Sequence, residues 1–157
     1  SLKIAGDVLD ADIIKYVKET YKLLIGESTA EKIKTNIGTA FIEPGTEDEE
    51  IEVSGRDLIT GLPNSITIKA SETEYAMRES LEDIVRACRS VLEQTPPELS
   101  ADIIVRGIVL TGGGALLKGI DRLIAEGLNT PVYVAENALT AVAEGTGMML
   151  ENLDYVK

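Results

Sequence analysis

Ile108-Val109-Leu110-Thr111-Gly112-Gly113-Gly114-Ala115-Leu116-Leu117-Lys118-Gly119-Ile120 runs an apolar segment into three consecutive glycines and then into a second apolar segment. Branched aliphatic residues bounded by glycine read as a buried strand over 107–110, and the period of the apolar residues that follow predicts an amphipathic helix over 116–125. Glycine lacks the Cβ that keeps a backbone away from a ligand and it tolerates positive φ, while a helix start offers unpaired N–H groups to an anion or a polar ring edge. Two readings follow: a turn that faces a nucleotide, or a tight turn that lets a helix pack closely on a sheet. The spacing is not a dinucleotide fingerprint, because Gly112, Gly113 and Gly114 lack the G-x-G-x-x-G interval, and it is not a P-loop, because no G-K-[ST] follows.

Downstream, Pro131 precedes a short strand over 132–134, and a final helix is predicted over 139–152. Strand, helix, strand and helix in this order imply a parallel pair, so this part should hold the parallel edge of a larger sheet. Upstream, Ser71 and Glu74 have the spacing of a capping box that opens a long helix to about residue 93. Its buried side carries Met77, Leu81, Ile84, Val85, Cys88, Val91 and Leu92, and Pro96-Pro97 stops it before a short helical turn from residue 98. Cys88, the one cysteine, sits at a core-facing position and reads as a buried thiol in a reducing compartment.

The first part of the chain changes period. Ile13, Ile14, Val17, Tyr21 and Leu24 predict a helix over 11–24 that ends at Gly26. Ser28 and Glu31 form a second capping-box pattern, followed by Ile33 and Ile37 on one face until Gly38. Short strands are predicted over 40–43, 51–54 and 65–70, the first two joined by Pro44-Gly45-Thr46 and the acidic run Glu47-Asp48-Glu49-Glu50. Four consecutive acids lack the spaced ligands and the turn glycine of a calcium loop, so they read as a solvated hairpin tip. Glu31 and Lys34, three apart, project from one side of a helix, and spacing alone makes them a surface ion pair worth well under ~1 kcal/mol. Asp7 and Asp10 read as acids at a helix start.

Composition narrows the function classes. Asp and Glu number 27 against 15 Lys and Arg, for a net charge of −12, and no basic cluster is present to neutralise a row of phosphates, so nucleic acid is not an expected partner. No apolar run approaches the roughly 18 residues that a membrane span needs, and the start lacks the pattern of a signal peptide. The length of 157 residues allows one compact unit with a real core.

Thr111-Gly112-Gly113-Gly114-Ala115 after an apolar strand and before Leu116-Leu117-Lys118-Gly119-Ile120 resembles the adenosine motif of the actin, sugar-kinase and heat-shock ATPase superfamily. Further segments narrow the likeness: Ile4-Ala5-Gly6-Asp7, Leu24-Ile25-Gly26-Glu27-Ser28-Thr29-Ala30-Glu31-Lys32-Ile33-Lys34, Thr95-Pro96-Pro97-Glu98-Leu99 and Leu139-Thr140-Ala141-Val142-Ala143-Glu144-Gly145-Thr146-Gly147. Over nearly all of its length the chain resembles the C-terminal half, domain II, of the MreB-like family of bacterial actin homologues. The resemblance implies an α/β fold, half of an actin-like, ribonuclease H-like ATPase and so a fragment of a larger two-domain fold. Within it, a small α+β subdomain over 7–69 is inserted in a core over 1–6 and 70–157 that carries the adenosine motif.

It also implies a site. Glu31, Lys32, Ile33 and Lys34 match the family's helix segment, where the carboxylate accepts from ribose hydroxyls or the adenine amine and the lysine lies against the ring. Gly112, Gly113, Gly114 and Ala115 supply the opposite wall, and Leu117 and Lys118 border the base. The family's cofactor is ATP or ADP with Mg2+, held by phosphate loops in the preceding part of the full-length protein together with the catalytic acid. No histidine, Asp-x-Gly loop or Gly-Lys-Ser segment appears here, so no catalytic residue or metal ligand is expected and the chain alone should neither require nor hydrolyse nucleotide. The implied function is that of a cytoplasmic cytoskeletal protein forming ATP-dependent, membrane-associated filaments that control rod shape and cell-wall synthesis. The implied partners are further copies head to tail, the missing N-terminal half and cell-shape membrane proteins, with membrane contact only through the missing half. The alternative is the adenosine-binding half of a sugar or acid kinase.

Overall fold

The computed structural model describes residues 2–3 and 6–135. The chain divides into two compact units, one of Asp7–Ser80 and one of Ser1–Gly6 with Leu81–Lys157.

In the first unit, helix α1 (Asp7–Tyr21) buries Leu9, Ile13 and Val17, four residues apart on one stripe. It starts and ends earlier than residues 11–24. Asp7 and Asp10 occupy its first turn, and Lys22, whose N–H still donates to the Lys18 carbonyl at 3.1 Å, takes the left-handed φ of 54° and breaks the helix. Leu23–Leu24 then forms strand β2, so Leu24 belongs to a sheet and not to the helix. Helix α2 (Glu27–Ile37) begins after Gly26 with no side-chain cap; Ser28 lies inside its first turn and the expected capping box is not formed.

Strand β3 (Glu50–Asp57) pairs antiparallel with both β2 and β4 (Pro63–Lys69), giving the order β2-β3-β4 with Val53 opposite Ile66. The expected strand over 40–43 does not form. Thr39 ties the backbone locally instead, its hydroxyl donating to the Phe41 carbonyl at 2.9 Å and accepting from the Phe41 N–H at 3.3 Å. The hairpin therefore joins β3 to β4 through residues 58–62, and the acidic run leads into β3 instead of forming its tip.

Helix α3 (Ala70–Glu93) runs from the first unit into the second. Thr73, Met77, Leu81, Ile84, Cys88 and Val91 are buried at helical spacing, and Val85 and Leu92 are half-buried. Its start is not a capping box. Asp48 accepts from the Ser71 N–H at 2.9 Å and from the Ser71 hydroxyl at 2.6 Å, while Glu72 accepts from the Lys69 N–H at 3.0 Å. Glu74 faces along the helix to Arg78.

In the second unit, β1 (Leu2–Lys3), β5 (Ile108–Thr111) and β6 (Val132–Val134) form a parallel sheet in the order β1-β5-β6, with Leu2 opposite Leu110 and Ile108 opposite Val132. The parallel pairing is the one the strand-helix-strand order implies. Helix α4 (Pro97–Arg106) is longer than the expected turn and buries none of its residues. After β5 the chain makes a 3-10 turn over Gly113–Leu116, and helix α5 (Ile120–Leu128) starts only after Gly119, at φ 82°, with Ile120 and Ile124 buried. The predicted helix over 139–152 and residues 4 and 5 lie outside the described residues.

Candidate functional site

The glycine turn is built by the end of β5. Thr111 is buried, and Gly112 has φ 90° and ψ 169°, a combination open essentially to glycine alone. That swing redirects the chain into the 3-10 turn. The Ala115 N–H donates to the Gly112 carbonyl at 3.1 Å, Leu117 to Gly114 at 3.2 Å and Ile120 to Leu117 at 3.2 Å. The turn thus satisfies these N–H groups itself, and the N-terminus of α5 stands several residues beyond the glycines, not on them. Gly113 is exposed, while Gly114 and Ala115 are buried. Leu117 belongs to the core at 5% exposure, Lys118 is exposed, and Leu116 is 59% exposed. Leu116 is the residue that periodicity misplaces, since a helix from 116 would put it on a different face from a 3-10 turn.

On α2 the matched segment splits by direction. Glu31 and Lys32 are exposed, whereas Ile33 is fully buried and Lys34 is buried. Lys34 does not form the surface pair with Glu31 that spacing suggests; its Nζ lies 2.9 Å from Asp10 Oδ1 of α1. Gly38 closes the same turn. Its N–H donates to the carbonyls of Ile33 and Lys34, and a Cβ there would stand 2.4 Å from the Lys34 oxygen. Sequence reasoning takes Asp10 as a helix-start acid and Gly38 as a helix end, and only the structure shows both of them against Lys34.

Elsewhere Cys88 is buried, and burial pushes its thiol up to about 12, which makes it unreactive at neutral pH. Among the described residues no group of acidic, histidine or cysteine side chains has the arrangement of a metal site, and no helix is long and apolar enough to cross a membrane.

The profile of the MreB/Mbl protein family matches residues 1–157, the whole chain. The chain belongs to the MreB/Mbl family. It is 57% identical over 154 residues to the cell shape-determining protein Mbl of Bacillus cereus, covering 98% of this chain and 46% of that protein. To the cell shape-determining protein MreB of Escherichia coli it is 52% identical over 154 residues, covering 98% and 44%. The fold matches the crystal structure of MreB5 of Spiroplasma citri bound to ADP with a TM-score of 0.82 at 34% identity, covering 89% of this chain and 42% of that one. It also matches a MamK double helical filament with a TM-score of 0.66 at 20% identity, covering 88% and 44%, a likeness that shows the fold alone. This MreB/Mbl-family chain thus has the mixed α/β, actin-like architecture and spans less than half the length of the curated relatives it matches. The kinase alternative is not favoured by relatives that are cell shape-determining proteins.

Proposed function

We propose that this chain is the C-terminal, nucleotide-contacting half of an MreB-type cytoskeletal protein that polymerises with ATP at the cytoplasmic membrane and directs cell shape. Residues 7–69 serve as the small subdomain, and residues 1–6 with 70–157 serve as the core. The observation that carries the reading is the family match along the whole chain, and the likeness of its glycine turn and its α2 segment to an adenosine site supports it. MreB5 of Spiroplasma citri has been crystallised with ADP, which supports adenine nucleotide as the ligand. In this reading Glu31 accepts from ribose or the adenine amine, Lys34 lies against the ring with Lys32 and Ile33 in the same segment, and Gly112, Gly113, Gly114 and Ala115 admit the adenosine. Mg2+ and the phosphates are held by the remaining part of the protein, and the filament grows head to tail.

The test is ADP titration of the full-length protein. Glu31→Gln and Gly113→Val should each weaken binding about tenfold, ~1.4 kcal/mol, with the melting temperature of the nucleotide-free protein unchanged. A structure with ADP touching neither segment overturns the assignment. The chain by itself should release no phosphate from ATP, since its sequence carries no histidine and no Asp-x-Gly or Gly-Lys-Ser phosphate loop.

A further inference from the structure

Strand β4 (Pro63–Lys69) is the outer strand of its sheet among the described residues, in the order β2-β3-β4. Its middle, Ser65-Ile66-Thr67-Ile68, is uncharged, lacks proline and holds the β-branched Ile66, Thr67 and Ile68, a composition that adds readily to the edge strand of another chain. The ladder decides which backbone groups face outward. The Asp57 N–H donates to the Leu62 carbonyl at 2.8 Å, and bonded pairs alternate from there, so Asn64, Ile66 and Ile68 direct their N–H groups to β3. The outward positions are Pro63, Ser65, Thr67 and Lys69, all exposed. Little is left at them for an incoming strand. Pro63 has no N–H, the Ser65 N–H donates to Asn64 Oδ1 at 2.9 Å, and the Lys69 N–H donates to Glu72 Oε2 at 3.0 Å. Thr67 alone presents an outward N–H without an acceptor among the described residues.

We infer that Asn64 and Glu72 close the outer edge of β4 to a second copy of this chain, by occupying the N–H groups that a docking strand needs. A ladder bond nets only ~1 kcal/mol, so an added strand depends on several in a row, and with Thr67 alone open no such run forms. Both acceptors are held in place from behind. Asn64 Nδ2 faces Asp57 Oδ2 at 3.5 Å, which leaves Oδ1 for Ser65, and the other oxygen of Glu72 accepts from Tyr16 and Tyr21. The exposed cation of Lys69 ends the edge with a charge. Copies that gather in an assembly are thereby kept from fusing sheet to sheet, a protection that owes nothing to nucleotide.

The test incubates the full-length protein without nucleotide at raised salt, where the charge of −12 is screened, and reads thioflavin T fluorescence, melting temperature and amide hydrogen exchange. Asn64→Ala removes one acceptor and should shorten the lag before fluorescence rises severalfold, at an unchanged melting temperature. Thr67→Ala trims an exposed side chain of the same strand but leaves both acceptors, so its lag should be no shorter than the parent's. In the parent the Ser65 N–H should exchange severalfold more slowly than the Thr67 N–H, each corrected for its intrinsic rate, and Asn64→Ala should remove the difference. Equal exchange at the two positions in the parent overturns the inference, because the Asn64 amide would then not hold the N–H. A parental lag in Asn64→Ala, or an equally short one in Thr67→Ala, overturns it too. Should Asn64→Ala melt lower, incubating each protein at the same interval below its own melting temperature separates the guard from stability: a lag that then matches the parent's also overturns the inference.

Discussion

At Gly112 the chain adopts φ 90° and ψ 169°, whereas its neighbour Gly113 has no positive φ and stands exposed at the start of the 3-10 turn. The same residue type thus answers two different needs. A side chain at 112 is strained by the backbone whatever the space around it, so Gly112→Ala should cost ~1–3 kcal/mol of stability, read as a lower melting temperature. Gly113→Val adds bulk on the open side, so the fold should survive while nucleotide binding suffers. Equal melting losses in both variants would make the turn a packing device and remove the support it lends to a ligand.

At the scale of elements, α1 is tied to the start of α3 through Glu72. One of its oxygens accepts from the hydroxyls of Tyr16, at 2.8 Å, and of Tyr21, and the other accepts from the Lys69 N–H ahead of the helix. Tyr16 also meets Tyr21 and Tyr75 edge-on, with ring centroids 6.4 Å and 5.9 Å apart, and Arg78 lies 5.5 Å from the Tyr75 ring centroid. Burial first, then the hydrogen bond to the Glu72 carboxylate and its negative charge, push Tyr16 up to about 12 and raise Tyr21 as well. A raised folded-state value means that the contribution is complete below the ordinary tyrosine value of 10.0 and disappears as pH climbs through about 12. Alkaline titration followed by tyrosinate absorbance should show a late component that moves down in Glu72→Gln. Glu72→Ala should cost ~1–2 kcal/mol, because two hydroxyls and a helix-start N–H lose one shared acceptor. A late component unchanged in Glu72→Gln would mean that burial acts without the carboxylate.

For the whole molecule, charge and exposed apolar groups act in opposite directions on association. The net charge of −12 repels copies at low salt. Each unit also presents aliphatic side chains to solvent: Ile59 is 80% exposed and Leu62 64% at the β3–β4 tip, and Val105 is 81% exposed and Ile104 64% on α4. The tip is held in shape by Asp57, which accepts from the N–H groups of Ile59 at 2.8 Å and Thr60 at 3.1 Å. A head-to-tail contact between unlike surfaces yields open strings unless the rotation closes. Sedimentation across a salt series should therefore show association that strengthens as ions screen the repulsion, and Ile59→Ser or Val105→Ser should weaken it. A monomer at every salt concentration, or a closed two-fold dimer, would count against the proposed head-to-tail assembly.

What the sequence by itself determined is what a short window of chain contains. The spacing of Met77, Leu81, Ile84, Cys88 and Val91 determined the face of α3 and the burial of the thiol, because side chains three and four apart share one side of a helix whatever surrounds it. The strand-helix-strand order determined that β5 and β6 run parallel, and the quoted motifs determined the family. Tertiary structure decided where polar side chains found their partners. Ser71 matches a capping box but bonds Asp48, 23 residues away; Ser28 matches one and makes no cap; Lys34 is spaced for Glu31 and pairs with Asp10. Residues 40–43 look like a strand, yet the bonds of Thr39 to Phe41 hold that backbone in a local turn. A hydrogen bond or ion pair goes to whichever partner packing brings within reach at the least desolvation, and that choice is made between segments far apart in the chain.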